Sequence, residues 1–288
     1  VAELDIPLKY ATKLYNEFAI RHPNAFYLRT RQRGMQNWDG KIKYITKTGQ
    51  FKIGLLPSVY KRCIELGIKP IIVDMRQPLP KVSKVVTQIG KYKLRPEQEK
   101  AVKAILSNKL GETSFQIGVL DYTVNAGKTL IMSALYLSYK KQLKTLLITN
   151  DSDWLNQARD EFKQYLPGED ITFVQGKVLN WSNFTIGMVQ SISRNMKYYQ
   201  NELAKIDMVL IDEADQGGSK QYQNVITRLF NTRIRIGLSG TIYMSKLAKD
   251  KVKNMNLECF FGKVIAEFKL KDSIKKGYST KTIVKMVP

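Results

Sequence analysis

A chain of 288 residues with 43% hydrophobic content can build two packed domains or one large α/β domain, which excludes a disordered or low-complexity protein. Its 47 Lys and Arg against 25 Asp and Glu leave a net charge of +22, a statement about partners in which a polyanion is the default. Two distant cysteines, Cys63 and Cys259, exclude a disulfide framework, the single histidine His22 argues against zinc, and no apolar run approaches the roughly 18 residues of a membrane helix.

The charge is uneven. Residues 1–90 hold 16 basic and 6 acidic side chains, a net of +10, so this segment is nearly twice as basic per residue as the rest. No signal peptide is visible, and a soluble, monomeric, cytoplasmic chain is expected, in the host cytoplasm if the source is viral. The start at Val1 instead of Met is the mark expected of a processed or trimmed chain.

Residues 1–75 read as a small, basic α+β domain. Pro7 can occupy the first turn of a helix that carries Ala11, Leu14, Tyr15 and Phe18 at helical spacing. Two strands are predicted next, Phe26–Arg31 and Lys41–Lys47, separated by Asp39-Gly40. Alternation puts Tyr27, Arg29 and Arg31 on one face of the first strand and Lys41, Lys43 and Ile45 on one face of the second. Coincident faces would form a basic, aromatic-tipped sheet. There Tyr27, Arg29, Arg31, Arg33, Lys41, Lys43 and Lys47 contact nucleic-acid phosphates while Tyr27 or Trp38 stacks on a base. The competing reading makes the lysines a solvated face and Trp38 the cap of a small core; the Asp39-Gly40 turn favours the core role for Trp38. A helix opened by Pro57, with Val59, Tyr60, Cys63, Ile64 and Leu66, and a strand Ile71–Val73 complete the domain.

Pro78, Pro80 and scattered lysines make residues 76–92 a linker. From residue 93 onward strands alternate with helices. Strands are predicted at Phe115–Asp121, Thr145–Thr149, Phe184–Val189, Met208–Ile211 and Ile234–Leu238, with helices at Leu130–Tyr139 and Asp153–Tyr165. That order implies an α/β fold with a parallel sheet and helices on both faces.

Between the first of these strands and its helix lies Tyr122-Thr123-Val124-Asn125-Ala126-Gly127-Lys128-Thr129. Its Gly-Lys-Thr end fits a phosphate loop, with Tyr122 where the pattern has its first glycine. Thr123, Val124, Asn125, Ala126 and Gly127 would wrap the phosphates of ATP, Lys128 would reach the β- and γ-phosphates, and the Thr129 hydroxyl would ligate Mg²⁺. The strand Met208–Ile211 delivers Asp212 and Glu213 to its carboxyl end, where open α/β sheets bind ligands. Asp212 would hold Mg²⁺ and Glu213 would position the attacking water. Taken alone, the acids could instead be a helix N-terminus capped by Asp215.

Residues 94–286 resemble the first motor domain of superfamily 2 helicases, which implies a RecA-like sheet. Leu94-Arg95-Pro96-Glu97-Gln98 resembles that family's adenine segment, with Gln98 on the base edge and Arg95 beside it. Leu146–Gln157 resembles motif Ia. Gly187-Met188-Val189-Gln190-Ser191 resembles the segment that touches the nucleic-acid backbone, which implies contacts from Gln190 and Ser191. Ser239-Gly240-Thr241 resembles motif III, which couples hydrolysis to strand movement.

Asp212-Glu213-Ala214-Asp215 spells the DEAD-box signature, yet Asn150-Asp151-Ser152-Asp153-Trp154 and Ser239-Gly240-Thr241 depart from that group's motifs Ia and III. The pattern is closer to motors acting on duplex or branched DNA. Asn37-Trp38-Asp39-Gly40-Lys41-Ile42-Lys43, followed by Gly54-Leu55-Leu56-Pro57, resembles the N-terminal domain of bacteriophage UvsW-type helicases. That resemblance implies branch migration of recombination, repair and stalled-fork intermediates. Phe268–Tyr278 resembles the closing helix of motor domain one, and nothing after Thr241 resembles the second motor domain that supplies arginine fingers. A fragment that binds ATP with little turnover is expected. The alternatives are a restriction-type double-stranded DNA translocase and a nucleic-acid-binding protein with a vestigial ATP site.

Overall fold

A computed structural model of the chain describes residues 1–32, 34–175, 181–240 and 248–280. They form two compact units that do not follow chain order. One holds residues 1–73 and the helix Ala248–Phe261; the other holds residues 74–240 and 264–280.

The small unit begins with α1 (Leu8–Glu17), which starts after Pro7 and buries Ala11 and Leu14. The strands β1 (Ala19–Arg21) and β2 (Lys41–Lys43) pair antiparallel, with Ala19 opposite Lys43 and Arg21 opposite Lys41. Between them lies α2 (Ala25–Arg31). Then α3 (Leu56–Glu65), with Pro57 in its first turn, buries Val59 and Cys63. A Cβ on Gly54 would lie 2.1 Å from the Glu258 carbonyl oxygen, so this glycine lets the backbone before α3 touch the helix Ala248–Phe261. Ser58 Oγ donates to Glu258 Oε1 at 2.5 Å across the same junction.

Three expectations for this unit are corrected. Phe26–Arg31 is helix, not strand: Ala25 and Leu28, three apart, face inward, and a Cβ on Gly40, at φ +75, would lie 3.0 Å from the Ala25 Cβ. Its alternating aromatic and basic residues imitate a strand, but burial follows the helical period. The second strand stops at Lys43, and its partner is Ala19–Arg21, so Tyr27, Arg29 and Arg31 share no strand face with Lys41 and Lys43. Ile71–Val73 is in no strand, and Ile71 and Val73 are exposed.

The large unit is built on seven parallel strands. Short antiparallel pairs, Gln88–Ile89 with Tyr92–Lys93 and Lys109–Leu110 with Thr113–Ser114, flank α4 (Pro96–Ser107). Then follow β3 (Ile117–Tyr122), α5 (Lys128–Ser138), β4 (Thr145–Thr149), α6 (Ser152–Tyr165), β5 (Ile171–Val174) and β6 (Phe184–Met188). The unit continues with α7 (Val189–Arg194), α8 (Met196–Leu203), β7 (Met208–Asp212), α9 (Lys220–Ile226), β8 (Ile234–Ser239), β9 (Val264–Phe268) and α10 (Leu270–Lys275). The sheet order is β9-β3-β8-β7-β4-β6-β5, and every pairing is parallel.

Strands β3, β4, β7 and β8 are buried along their whole length, as a parallel sheet covered by helices on both faces requires. The fold of the large unit is the α/β, RecA-like sheet with surrounding helices that the sequence implied, and the small unit is α+β. One knot of the core joins α5, α6 and β6: the Phe184 ring lies 5.0 Å from both Tyr136 and Phe162. Two boundaries move. The segment read as a linker packs Leu79, Val82, Val85 and Val86 on the core, and Phe268 ends an edge strand instead of opening a closing helix.

Candidate functional site

The strand order fixes where chemistry can gather. β8 lies between β3 and β7, so the loop after β3 and the acids after β7 open on the same edge of the sheet. This is the carboxyl edge, where loops and helix N-termini leave backbone polar groups available to a ligand.

The loop after β3 takes two left-handed residues, Asn125 (φ +63) and Gly127 (φ +72), and α5 starts at Lys128. Gly127 is required twice. It takes a conformation that disfavours a side chain, and a Cβ there would lie 2.3 Å from Gln98 Nε2. Gln98 itself is buried. Its Oε1 accepts from the Arg95 backbone at 2.8 Å and its Nε2 donates to the Ala126 carbonyl at 2.9 Å. Expected on the base edge, Gln98 here fastens the first turn of α4 to the loop. Tyr122 is a core residue whose hydroxyl donates to the Glu97 carbonyl at 2.8 Å. That contact explains a bulky residue where the loop pattern has glycine.

Lys128 Nζ lies 3.5 Å from Asp212 Oδ1 and 3.7 Å from Glu213 Oε1. Glu213 adopts φ +52, a left-handed conformation that costs about 1–3 kcal/mol for a residue with a side chain. The turn sends the two acids apart: the Asp212 side chain is 4% exposed and that of Glu213 is 44% exposed. Burial raises the pKa of Asp212 above the usual carboxylate range, with Lys128 opposing the shift. Burial also raises Glu213; Lys128 again opposes, while Asp212 and Asp215 add to the rise. One ammonium therefore does not offset the cost of gathering these acids.

Among the described residues no hydrogen bond reaches the buried Asp212 Oδ1, an oxygen suited to a hard divalent cation. Thr129, at the first turn of α5, is buried beside Lys128 in sequence and completes the donor types such an ion needs. The capping alternative fails, because no side chain caps the short turn Ala214–Gln216. Asp215 instead accepts from Ser239 Oγ at 3.1 Å, tying the end of β8 to the acidic turn. A Cβ on Gly240 would meet Thr123 Cα at 3.2 Å, so the β8 end also runs against the loop. Thr241 lies outside the described residues.

Gln190 stands in α7 at the carboxyl end of β6, and its Nε2 donates to the Asn150 carbonyl after β4 at 3.2 Å. Ser191 follows it on the same helix. Two groups near the site went unnoticed in the sequence. The Tyr222 hydroxyl, on α9, is buried with no hydrogen-bond partner among the described residues, where burial first and then Asp212, Glu213 and Asp215 raise its pKa. Tyr278 places its ring 4.2 Å from the Arg95 guanidinium. The second depends on a contact between distant segments, which no local pattern reveals.

In the small unit, Tyr27, Arg29, Arg31 and Lys41 are exposed, and Arg31 lies 4.9 Å over the Tyr27 ring. Lys43 is engaged internally, 3.1 Å from Asp39 and 4.5 Å over the Tyr15 ring. Trp38 donates its Nε1 proton to the Lys41 carbonyl at 2.9 Å and packs edge-on against His22. Arg33 lies outside the described residues. Arg21 and Phe26 were missed: Arg21 is exposed directly opposite Lys41, and Phe26 is 79% exposed.

The family described as "Type III restriction enzyme, res subunit" matches residues 91–244, more than half of the chain. The chain belongs to that family. The crystal structure of the UvsW helicase from bacteriophage T4 is similar in fold, with a TM-score of 0.71 at 22% identity. That match covers 92% of this chain and 95% of the other. Among curated proteins, the ATP-dependent DNA helicase UvsW of Enterobacteria phage T4 is 24% identical over 227 residues, covering 72% of this chain and 43% of its own length. A protein of Acanthamoeba polyphaga mimivirus named as an ATP-dependent RNA helicase is 26% identical over 148 residues, 51% of this chain and 27% of its own. The chain thus spans less than half the length of the curated relatives it matches. Among the described residues, no helix is long and apolar enough to cross a membrane.

Proposed function

We propose that this chain is the ATP-binding half of an ATP-driven DNA helicase or translocase. The observation that carries the reading is Lys128 held between Asp212 and Glu213 at the mouth of the loop. Two acids beside one ammonium leave the site short of positive charge, which the divalent ion accompanying the phosphates of ATP would supply. Mg²⁺ bound there would neutralise phosphate charge and polarise the phosphoryl group. Asp212 and Thr129 would hold it.

Lys128 leaves the acids for the β- and γ-phosphates when ATP enters, and Gly127 lets the loop amides close on them. Glu213, the more exposed acid, orients the attacking water and takes its proton. Ser239, bonded to Asp215, carries the state of the acidic turn to the end of β8. Nothing among these residues supplies a guanidinium to the transferring phosphate. We therefore expect ATP binding with little turnover until a second motor domain provides one. Robust DNA-stimulated hydrolysis by the 288-residue chain alone would contradict this.

The small unit is proposed to grip the phosphate backbone. Arg21 and Lys41 are direct partners across β1 and β2, and like charges in that register cost energy unless an anion lies over them. Exposed Arg29, Arg31 and Tyr27 on α2 extend the surface, and Phe26 offers a ring to an unpaired base at a branch point. The relatives named as DNA and RNA helicases make nucleic-acid choice the first test. Binding of four-way, duplex and single-stranded DNA and of RNA, followed across a salt series, should be tightest for branched DNA. Arg21→Ala with Lys41→Ala should lower the slope of log K against log salt by about 2. An unchanged slope would remove these residues from the interface. The restriction-family match supports a second reading, a double-stranded DNA translocase, which would move along duplex without displacing a strand.

A further inference from the structure

The Arg95 side chain is held on three sides. Its Nη2 donates to the Asn125 carbonyl in the loop at 3.1 Å, and its Nε lies 3.1 Å from Glu97 Oε1. The Tyr278 ring covers one face of the guanidinium at 4.2 Å. The chain has to turn sharply to bring that ring there. Helix α10 ends with Gly277 at φ +73, Gly277 N–H donating to the Ile274 carbonyl at 3.0 Å and Tyr278 N–H to the Ser273 carbonyl at 2.9 Å. This is a Schellman ending, which fixes the direction of the residue after the glycine. Lys276, before the glycine, donates to Glu97 Oε2 at 2.8 Å, so residues on both sides of the turn clasp the Arg95–Glu97 corner. Tyr278 in turn packs against Phe268, at the end of the edge strand, at 6.5 Å between ring centres.

A guanidinium so fixed presents a flat cation beside the phosphate loop, with 26% of the side chain still in solvent. A purine stacks well on a guanidinium plane. Gln98, the expected base reader, spends both ends of its amide inside the protein. We propose that Tyr278 is a positioning residue for base selection: it backs Arg95 so that the opposite face of the guanidinium stacks the purine of the nucleotide. This rests on the ATP-site reading and adds a residue to it from the far end of the domain. The spacing of 4.2 Å leaves no room for a base between the ring and the cation, which makes Tyr278 a support and not a direct contact.

The test is calorimetric titration of the whole chain with MgATP and with magnesium tripolyphosphate, which lacks a base. Tyr278→Leu keeps apolar bulk but removes the ring, and Tyr278→Phe keeps the ring. For Tyr278→Leu, ATP affinity should fall about tenfold, the scale of a lost stacking contact, while tripolyphosphate affinity stays within about twofold. Tyr278→Phe should retain both. Equal losses for ATP and tripolyphosphate would mean that Tyr278 merely supports the loop, and no loss at all would remove it from the site; either overturns the proposal. Failure of the unaltered protein to bind ATP would instead overturn the ATP-site reading.

Discussion

Asp74 and Asp212 are both poorly exposed aspartates of the large unit, one by the amino end of β8 and the other at the carboxyl end of β7, yet their carboxyls shift in opposite directions. Burial penalises the charge of each. At Asp74 it is overcome: Arg76 pairs with Oδ2 at 2.7 Å and with Oδ1 at 2.9 Å, its backbone N–H donates at 3.0 Å, and Arg233 lies 3.2 Å away. The pKa of Asp74 is therefore lowered. At Asp212 one lysine at 3.5 Å is too little, and the pKa is raised. Arg233 donates onward to the Arg76 carbonyl at 3.0 Å, and Arg76 to the Thr232 carbonyl, so that cluster closes on itself. Such a closed cluster fastens structure. An open one is receptive to a ligand that brings the missing charge.

The largest effect should come from the open cluster. Glu213→Gln should reduce ATP hydrolysis about 10²- to 10⁴-fold, measured with a second motor domain present, while ATP affinity stays within about threefold. A parallel loss of affinity would make Glu213 a binding group instead. In the closed cluster the effect moves to stability. Arg76→Ala leaves Asp74 with Arg233 alone and should cost about 2–4 kcal/mol in urea denaturation, without altering nucleotide affinity of the folded protein. A cost near zero would show that the cluster holds nothing.

A smaller pair of effects tests the opposite pKa shifts by their sign. Asp212 has a raised folded pKa, so its protonated form favours folding and stability is lost as pH rises through that pKa. Asp212→Asn should therefore melt higher than the parent at pH 7, with the gain vanishing below about pH 4, where the parent is protonated in both states. Asp74 has a lowered folded pKa, so its stabilisation exists above the unfolded value and is lost as pH falls. Asp74→Asn should melt lower at pH 7 and converge with the parent in acid. Melting curves shifted in the same direction at pH 7 would break the comparison.

Much of the site was legible before the structure because its chemistry is local. Leu146–Ile148 stands out as an apolar run, Gly127-Lys128-Thr129 sits between a strand and a helix, and Asp212-Glu213 closes another apolar strand. What escaped depends on distant partners. Phe26–Arg31 reads as a strand until Gly40 is seen to seat Ala25, and the helix Ala248–Phe261 joins the small unit through contacts about 200 residues apart in sequence, at Gly54 and Ser58. Gln98 fits a base-reading pattern, but its amide is claimed by Arg95 and Ala126. Arg76 and Arg233 are 157 residues apart, and Arg95 meets Tyr278 across most of the large unit.

The central claim is that Lys128, Asp212 and Glu213 form an open charge cluster that the divalent ion of MgATP completes. Calorimetric titration of the unaltered chain and of Lys128→Ala with MgATP tests it most directly. The parent should bind one ATP per chain and Lys128→Ala should bind none measurably, with the melting temperature of the ligand-free protein little changed. Equal ATP affinity for the two proteins would contradict the account.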